Sequence, residues 1–266
     1  MQAVNRLSAA QRKAVAQQDA PFLSAGLILN NPRSFEAHLR QAVLLMRDRQ
    51  TSASPCGRLV RHVYDLFERS VPQRARDSLA CASGCGFCCY QTVAASPSEV
   101  FFLARLIAPE PDSVAAVRDA AAKLDGRSTG ASGACWLRCP LLDQASNCSA
   151  YAARPLACRS YVSLKVGDCK TVYLQPGDGI VHAPAAYEDL KNSCRTILMT
   201  SLRLNGLPTT QYELNAALRI VLDTENAEKR WLRGETIFAG LPELAPNSPE
   251  AEQVLALIEE RVGPTV

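Results

Sequence analysis

Cys81-Ala-Ser-Gly-Cys85-Gly-Phe-Cys88-Cys89 sets four thiols within nine residues and shows neither a helical nor a strand period. Gly84 and Gly86 let the backbone take positive φ, so that thiolates a few residues apart can converge on one ion. The segment therefore reads as a loop wrapped around something rather than as a regular element. A second set follows fifty residues on, as Cys139-Pro-Leu-Leu, then Cys148-Ser-Ala-Tyr-Ala-Ala-Arg-Pro-Leu-Ala-Cys158-Arg, then Cys169. Four cysteines in each half can close two tetrahedral sites, or supply one cluster with thiols to spare. Cys88 and Cys89 are adjacent, and neighbouring side chains diverge, which points to two metals or a polynuclear centre.

Outward from these loops the pattern turns helical. Phe35, Leu39, Ala42, Val43 and Met46 recur at three- and four-residue steps behind a serine, predicting an amphipathic helix over 34–48. A second helix is expected over 57–69, with Leu59, Val63, Leu66 and Phe67 on one face, and Pro72 interrupts it. Ser96-Pro97-Ser98-Glu99 is a helix start, with a serine cap, a proline in the first turn and an acid near the positive end of the dipole. Further helices are expected after Pro111, at 149–153 in the second cysteine stretch, and over 187–204, 210–222 and 249–262. The loose run Gly126 to Gly133 reads as an internal linker. Tyr161–Val166 and Thr171–Leu174 read as arms of a short hairpin about Gly167 and Asp168.

The 266 residues are 47% hydrophobic and 21% charged, which excludes disordered and fibrous classes. Cysteine is the outlying residue, eleven against three histidines. The opening MQAVNRLSAAQRKAVAQQDAPF has no apolar core of signal-peptide length, and Phe22 to Leu29 is too short to span a bilayer. The expected location is cytoplasmic, where clustered free thiols bind metal more often than they pair. The net charge of +3 arises mainly in the first eighty residues, where twelve Arg and Lys face six acids. Spread along helices, that set reads as a solvated face.

With these residues in view, the pattern Cys81-x3-Cys85-x2-Cys88-Cys89, Cys139-Pro-x-Leu, Cys148-Ser-x-Tyr151-x-x-Arg154-Pro155-x-x-Cys158-Arg159-Ser-Tyr161 and Cys169 resembles the YkgJ-type cysteine-cluster family of zinc- or iron-chelating domains. The resemblance covers roughly residues 81–170. It implies an eight-cysteine metal-binding domain, related to one in flagellin lysine N-methylases. The ligands it implies are Cys81, Cys85, Cys88, Cys89, Cys139, Cys148, Cys158 and Cys169. Cys56, Cys135 and Cys194 fall outside the pattern and read as buried or idle thiols, although Cys135 is close enough to replace Cys139. Arg154 and Arg159 flank Cys158, where they either offset thiolate charge by hydrogen bonds to sulfur or are simply solvated.

Cys81-x3-Cys85-x2-Cys88 also resembles the loop by which radical S-adenosylmethionine enzymes hold an iron–sulfur cluster. Those enzymes resemble a partial β/α barrel with a strand entering the loop, whereas Arg74 to Leu79 reads as helix or coil. That reading also leaves Cys89 and the second cysteine set unexplained. An ordinary methyltransferase lacks its glycine-rich turn here, and His38, His62 and His182 are remote in sequence from the clusters. His62 reads as solvated on its helix and His182 as structural. A zinc-dependent nucleic-acid or protein interaction module is the non-enzyme alternative, but the clusters are not basic.

The expectation is therefore a mainly α protein with irregular cysteine-rich metal-binding loops between helices and one short β-hairpin. Its regions are 1–78, 79–175 and 176–266, within one compact domain. Eight soft thiolates favour zinc or iron, the latter including iron–sulfur clusters, over magnesium, calcium or manganese. Metal ions are the expected partners, with no membrane and no nucleic acid. Neither a substrate nor a protein partner follows from the sequence.

Overall fold

The computed structural model describes residues 31–48, 54–125, 137–175, 179–244 and 249–263. The expected linker over Gly126 to Gly133, and Cys135 with its possible substitution for Cys139, lie outside them. The elements in order are α1 (Pro32–Arg47), α2 (Pro55–Ser70), α3 (Gln73–Asp77), a 3-10 turn (Phe87–Tyr90), β1 (Ala94–Ala95), α4 (Pro97–Ile107) and α5 (Pro111–Asp125). There follow a 3-10 turn (Tyr151–Ala153), α6 (Leu156–Ser160), α7 (Val166–Leu174), α8 (Ala185–Arg203), β2 (Tyr212–Glu213), α9 (Leu214–Asp223), α10 (Ala227–Leu232) and α11 (Pro249–Val262).

The fold is mainly α, as the periodicity predicts, and the helix starts follow local chemistry. The Asn31 side chain caps α1 by accepting from Ser34 N at 3.1 Å, and Ser54 caps α2 by accepting from Gly57 N at 2.8 Å. Ser96 and Glu99 close a reciprocal capping box on α4. The apolar stripes then determine the packing. α1, α2 and α8 pack on one another, burying Leu39, Met46, Leu59, Phe67, Leu190 and Ile197. α4 covers the other side of α2 and packs on α9, which also carries α5. There Phe101 lies 5.5 Å from Trp231 and 5.9 Å from Phe238, centroid to centroid. One continuous apolar core runs from Leu39 through Val262, and the cysteine loops are laid against it.

The β structure departs from expectation. Val166–Leu174, expected to contain one hairpin arm, is helix α7. The single two-stranded antiparallel sheet among the described residues pairs Ala94 with Glu213 and Ala95 with Tyr212, so its strands come from distant segments. α9 also begins at Leu214 rather than Thr210, because Tyr212 and Glu213 belong to that sheet and Glu213 caps the helix, accepting from Ala216 N at 2.7 Å.

His62 is not solvated as expected: its Nε2 is buried without a hydrogen-bond partner, and its ring lies 5.4 Å from that of His38. Burial is the main cause holding both imidazoles below their usual value, with Arg69 adding to it at His38; at His62 the charges of His38 and Arg69 add to it, against a hydrogen bond with the His38 backbone and the charge of Asp65. A depressed histidine contributes stability that is complete above its unfolded pKa of 6.5 and is lost as pH falls below it. Thermal unfolding should show this directly. Between about pH 7.5 and pH 5 the wild type should lose more Tm than His62→Leu; equal losses would remove the histidine from the account.

Candidate metal centre

The first cysteine loop leaves α3 and is anchored at once, because Ala80 N donates to Ser163 O at 2.8 Å. Cys85 N donates back to Ala82 O at 3.0 Å, closing a turn in which Gly84 has φ +79°. A Cβ at Gly84 would sit 3.2 Å from the Ala145 carbonyl, and one at Gly86 3.3 Å from the Ser146 side chain. Gly86, at φ −102°, does not take the expected positive φ, so only Gly84 serves backbone conformation, while both glycines permit close approach of the two loops. The second loop is a tight reversal. Leu142 bridges Cys148, Asp143 N donates to Asn147 O at 2.9 Å, and Asp143 Oδ1 accepts from Asn147 N at 2.8 Å. The loops join where Cys139 N donates to Cys89 O at 2.7 Å and the Ser83 hydroxyl to Asn147 Oδ1 at 2.6 Å.

The remaining two cysteines ride on short helices. Cys158 is in α6, whose first N–H, on Leu156, donates to Glu99 Oε1 at 2.8 Å. Cys169 is in α7, which packs on the 3-10 turn through Tyr173, 5.6 Å from Phe87 and 4.8 Å from Tyr90. Ser163 joins the two ends of the site: its N–H lies 3.4 Å from Cys81 Sγ, and its hydroxyl engages the Cys169 thiol. It escaped the sequence reading, because a lone serine in a segment taken for a strand carries no signal.

The eight thiols fall into neighbourhoods. Burial is the main cause raising the Cys81 and Cys169 thiols, and Cys85 and Cys88 raise both further by charge. Burial likewise lifts Cys139, to about 11, along with Cys148 and Cys158, and Cys158 also responds to Cys139, Cys88 and Cys148. Cys88 borders both groups and is raised most by its hydrogen bond with Cys89. Cys85, Cys88, Cys89, Cys139, Cys148 and Cys158 share a cavity of about 530 Å³, and all ten described cysteines are free thiols. Among the described residues, no group of three Cys, His, Asp or Glu side chains is drawn into a geometry that holds an ion as it stands. The soft-donor chemistry of the set fits zinc or iron.

The flanking arginines divide. Arg159 does not reach sulfur. It is 6% exposed, donates from Nε to Arg154 O at 2.8 Å and from Nη1 to Glu68 at 2.7 Å, hydrogen-bonds Ala152 O, and lies 4.1 Å over the Tyr64 ring. It therefore clamps the loop to α2. The Arg154 charge, by contrast, pulls down the Cys88, Cys148 and Cys158 thiols. Cys56 and Cys194 are fully buried away from the cluster, with the Cys194 thiol toward Val63 O at 3.8 Å. His182, remote in sequence from the first cluster, places Nδ1 2.7 Å from the carboxylate of Asp168, next to Cys169. No strand leads into the first loop, since Gln73–Asp77 is helical, and no helix among the described residues is long and apolar enough to cross a membrane.

No curated protein and no solved structure matches the chain. Residues 80–195 match the family model CxxCxxCC, described as "Putative zinc- or iron-chelating domain", a stretch that begins at the anchored Ala80 and ends one residue past Cys194 in α8. That stretch contains both cysteine loops, and over it the chain is similar to the zinc- or iron-chelating domains the family model describes.

Proposed function

We propose that Cys81, Cys85, Cys88, Cys89, Cys139, Cys148, Cys158 and Cys169 hold zinc or iron in two neighbouring four-thiolate sites. One takes Cys81, Cys85 and Cys169, the other Cys139, Cys148 and Cys158, and the adjacent Cys88 and Cys89 are divided between them. The observation that carries this reading is the electrostatic neighbourhood of the thiols, in two groups that share Cys88. Arg154 offsets part of the thiolate charge, and Ser163 N–H offers a hydrogen bond to Cys81. The bound metal would supply a cross-link between the loop after α3 and the segment from Cys139 to α7. The ten described cysteines are all unpaired, which suits a reducing cytoplasm.

Anaerobic purification with metal analysis and an absorption spectrum tests this. Two zinc ions on colourless protein, or iron and sulfide with broad visible absorbance, are the results that support it. Cys158→Ser should lose about half of the metal while Cys194→Ser keeps all of it. Unchanged metal content in Cys158→Ser would end the assignment.

A further inference from the structure

A second cavity, of about 170 Å³, lies between α8 and the start of α6. No cysteine lines it, and Ala157 is the one residue it shares with the wall of the thiol cavity. Gln211 is fixed in its wall by an isolated bridge to Leu244, whose N–H donates to the Gln211 carbonyl at 2.8 Å. The residue is 9% exposed, and its side-chain amide has no hydrogen-bond partner among the described residues. Thr200 Oγ1 is also unpartnered but is sealed in the core, whereas both polar atoms of the Gln211 amide keep accessible surface, and the cavity is what they open on. Buried polar groups are almost always paired, so an open amide on a nine-tenths buried residue calls for an occupant.

The charge around that amide is positive. Lys191 and Arg195 stand one turn apart on α8, and both line the cavity. Lys191 gives two hydrogen bonds to the Glu188 carboxylate, each of 2.6 Å, which leaves the third donor of its ammonium, and Arg195 carries five donors in a fixed fork. The acid in the wall, Glu99, has its oxygens occupied by four hydrogen bonds from protein donors. Much of the remaining wall is apolar, from the buried Leu156, Leu198 and Met199. Water satisfies an amide but gains nothing against such a wall. The volume is below the roughly 300–1,000 Å³ of drug-sized sites, so the occupant is small.

We propose that this cavity binds a short-chain aliphatic carboxylate. The carboxylate pairs with Lys191 and Arg195 and accepts from the Gln211 amide N–H, while the hydrocarbon tail lies on Leu156, Leu198 and Met199.

NMR titration of the full chain, purified with its metal, tests this using propionate, butyrate and 3-methylbutyrate as probes. At least one acid should bind with Kd below about 5 mM, and its neutral carboxamide should bind at least about tenfold more weakly. Gln211→Leu and Lys191→Met should each weaken binding of the acid by about tenfold as well. Lys191 is at the rim, with its side chain 30% exposed, so Lys191→Met decides the matter even where Gln211→Leu fails to fold. No binding of any acid to wild type at tens of millimolar would overturn the proposal. So would equal binding of acid and carboxamide, inorganic phosphate binding as tightly as the best acid, or undiminished binding to either variant.

Discussion

Stripping the metal with a chelator under reducing conditions is expected to lower Tm by about 10 °C or more and to open the cysteine loops to proteases, with both effects reversed by added zinc. The expectation follows from what holds each part of the molecule. The α1, α2 and α8 bundle carries a continuous apolar core, so most of the helical circular dichroism should survive. The loop from Ala80 to Gln91 has almost no regular structure, and the second loop is held by turn hydrogen bonds and a single isolated bridge. Structural zinc in small modules supplies on the order of 10 kcal/mol of apparent binding energy, more than such turns provide. Only part of it appears in global unfolding, since the loops can open while the bundle stays folded. New cleavage sites should accordingly fall within 80–91 and 137–150. Full thermal stability and unchanged proteolysis of metal-free protein would rule out the cross-linking role.

How far these features were legible in the sequence depended on how local their causes are. The long helices were readable from their 3.6-residue apolar stripes, and at Ser96 from the cap as well, whereas α1 starts at Pro32 and is capped by Asn31 rather than by the expected serine, and α8 has no side-chain cap. Helix α7 was not, because it has no apolar face of its own. Val166 and Leu174 are exposed, and the helix is held by Tyr173 against Phe87 and Tyr90 and by Asp168 against His182. Strands of two residues whose partners lie more than a hundred positions apart leave no alternation to detect. At the site, the cysteines were visible as a spacing. The division of labour between Arg154 and Arg159 was not, since it depends on Glu68 and Tyr64 in α2 lying beneath one arginine and not the other.

Glu99→Ala is expected to be the most damaging substitution outside the thiols, at about 4 kcal/mol of stability. In the sequence Glu99 is only the acidic partner of a capping box, a feature worth about 1 kcal/mol. In the structure it is 2% exposed and accepts four hydrogen bonds. Oε2 takes Ser96 N at 3.0 Å and the Ser96 hydroxyl at 2.8 Å, while Oε1 takes the Tyr64 hydroxyl at 3.1 Å and Leu156 N at 2.8 Å. One carboxylate therefore ties α4 to α2 and to the start of α6, which has no side-chain cap of its own. Truncation strands several buried donors at once, and an unsatisfied buried donor costs far more than a hydrogen bond contributes on balance. Glu99→Gln should fall between alanine and wild type, because its single oxygen still serves one side while its amide nitrogen opposes a backbone N–H on the other. Since Leu156 opens the helix that carries Cys158, both variants should also surrender metal to a competing chelator faster than wild type. Urea unfolding of the three proteins gives the comparison; a Glu99→Ala value within about 1 kcal/mol of wild type would show that the carboxylate caps one helix and does not join three.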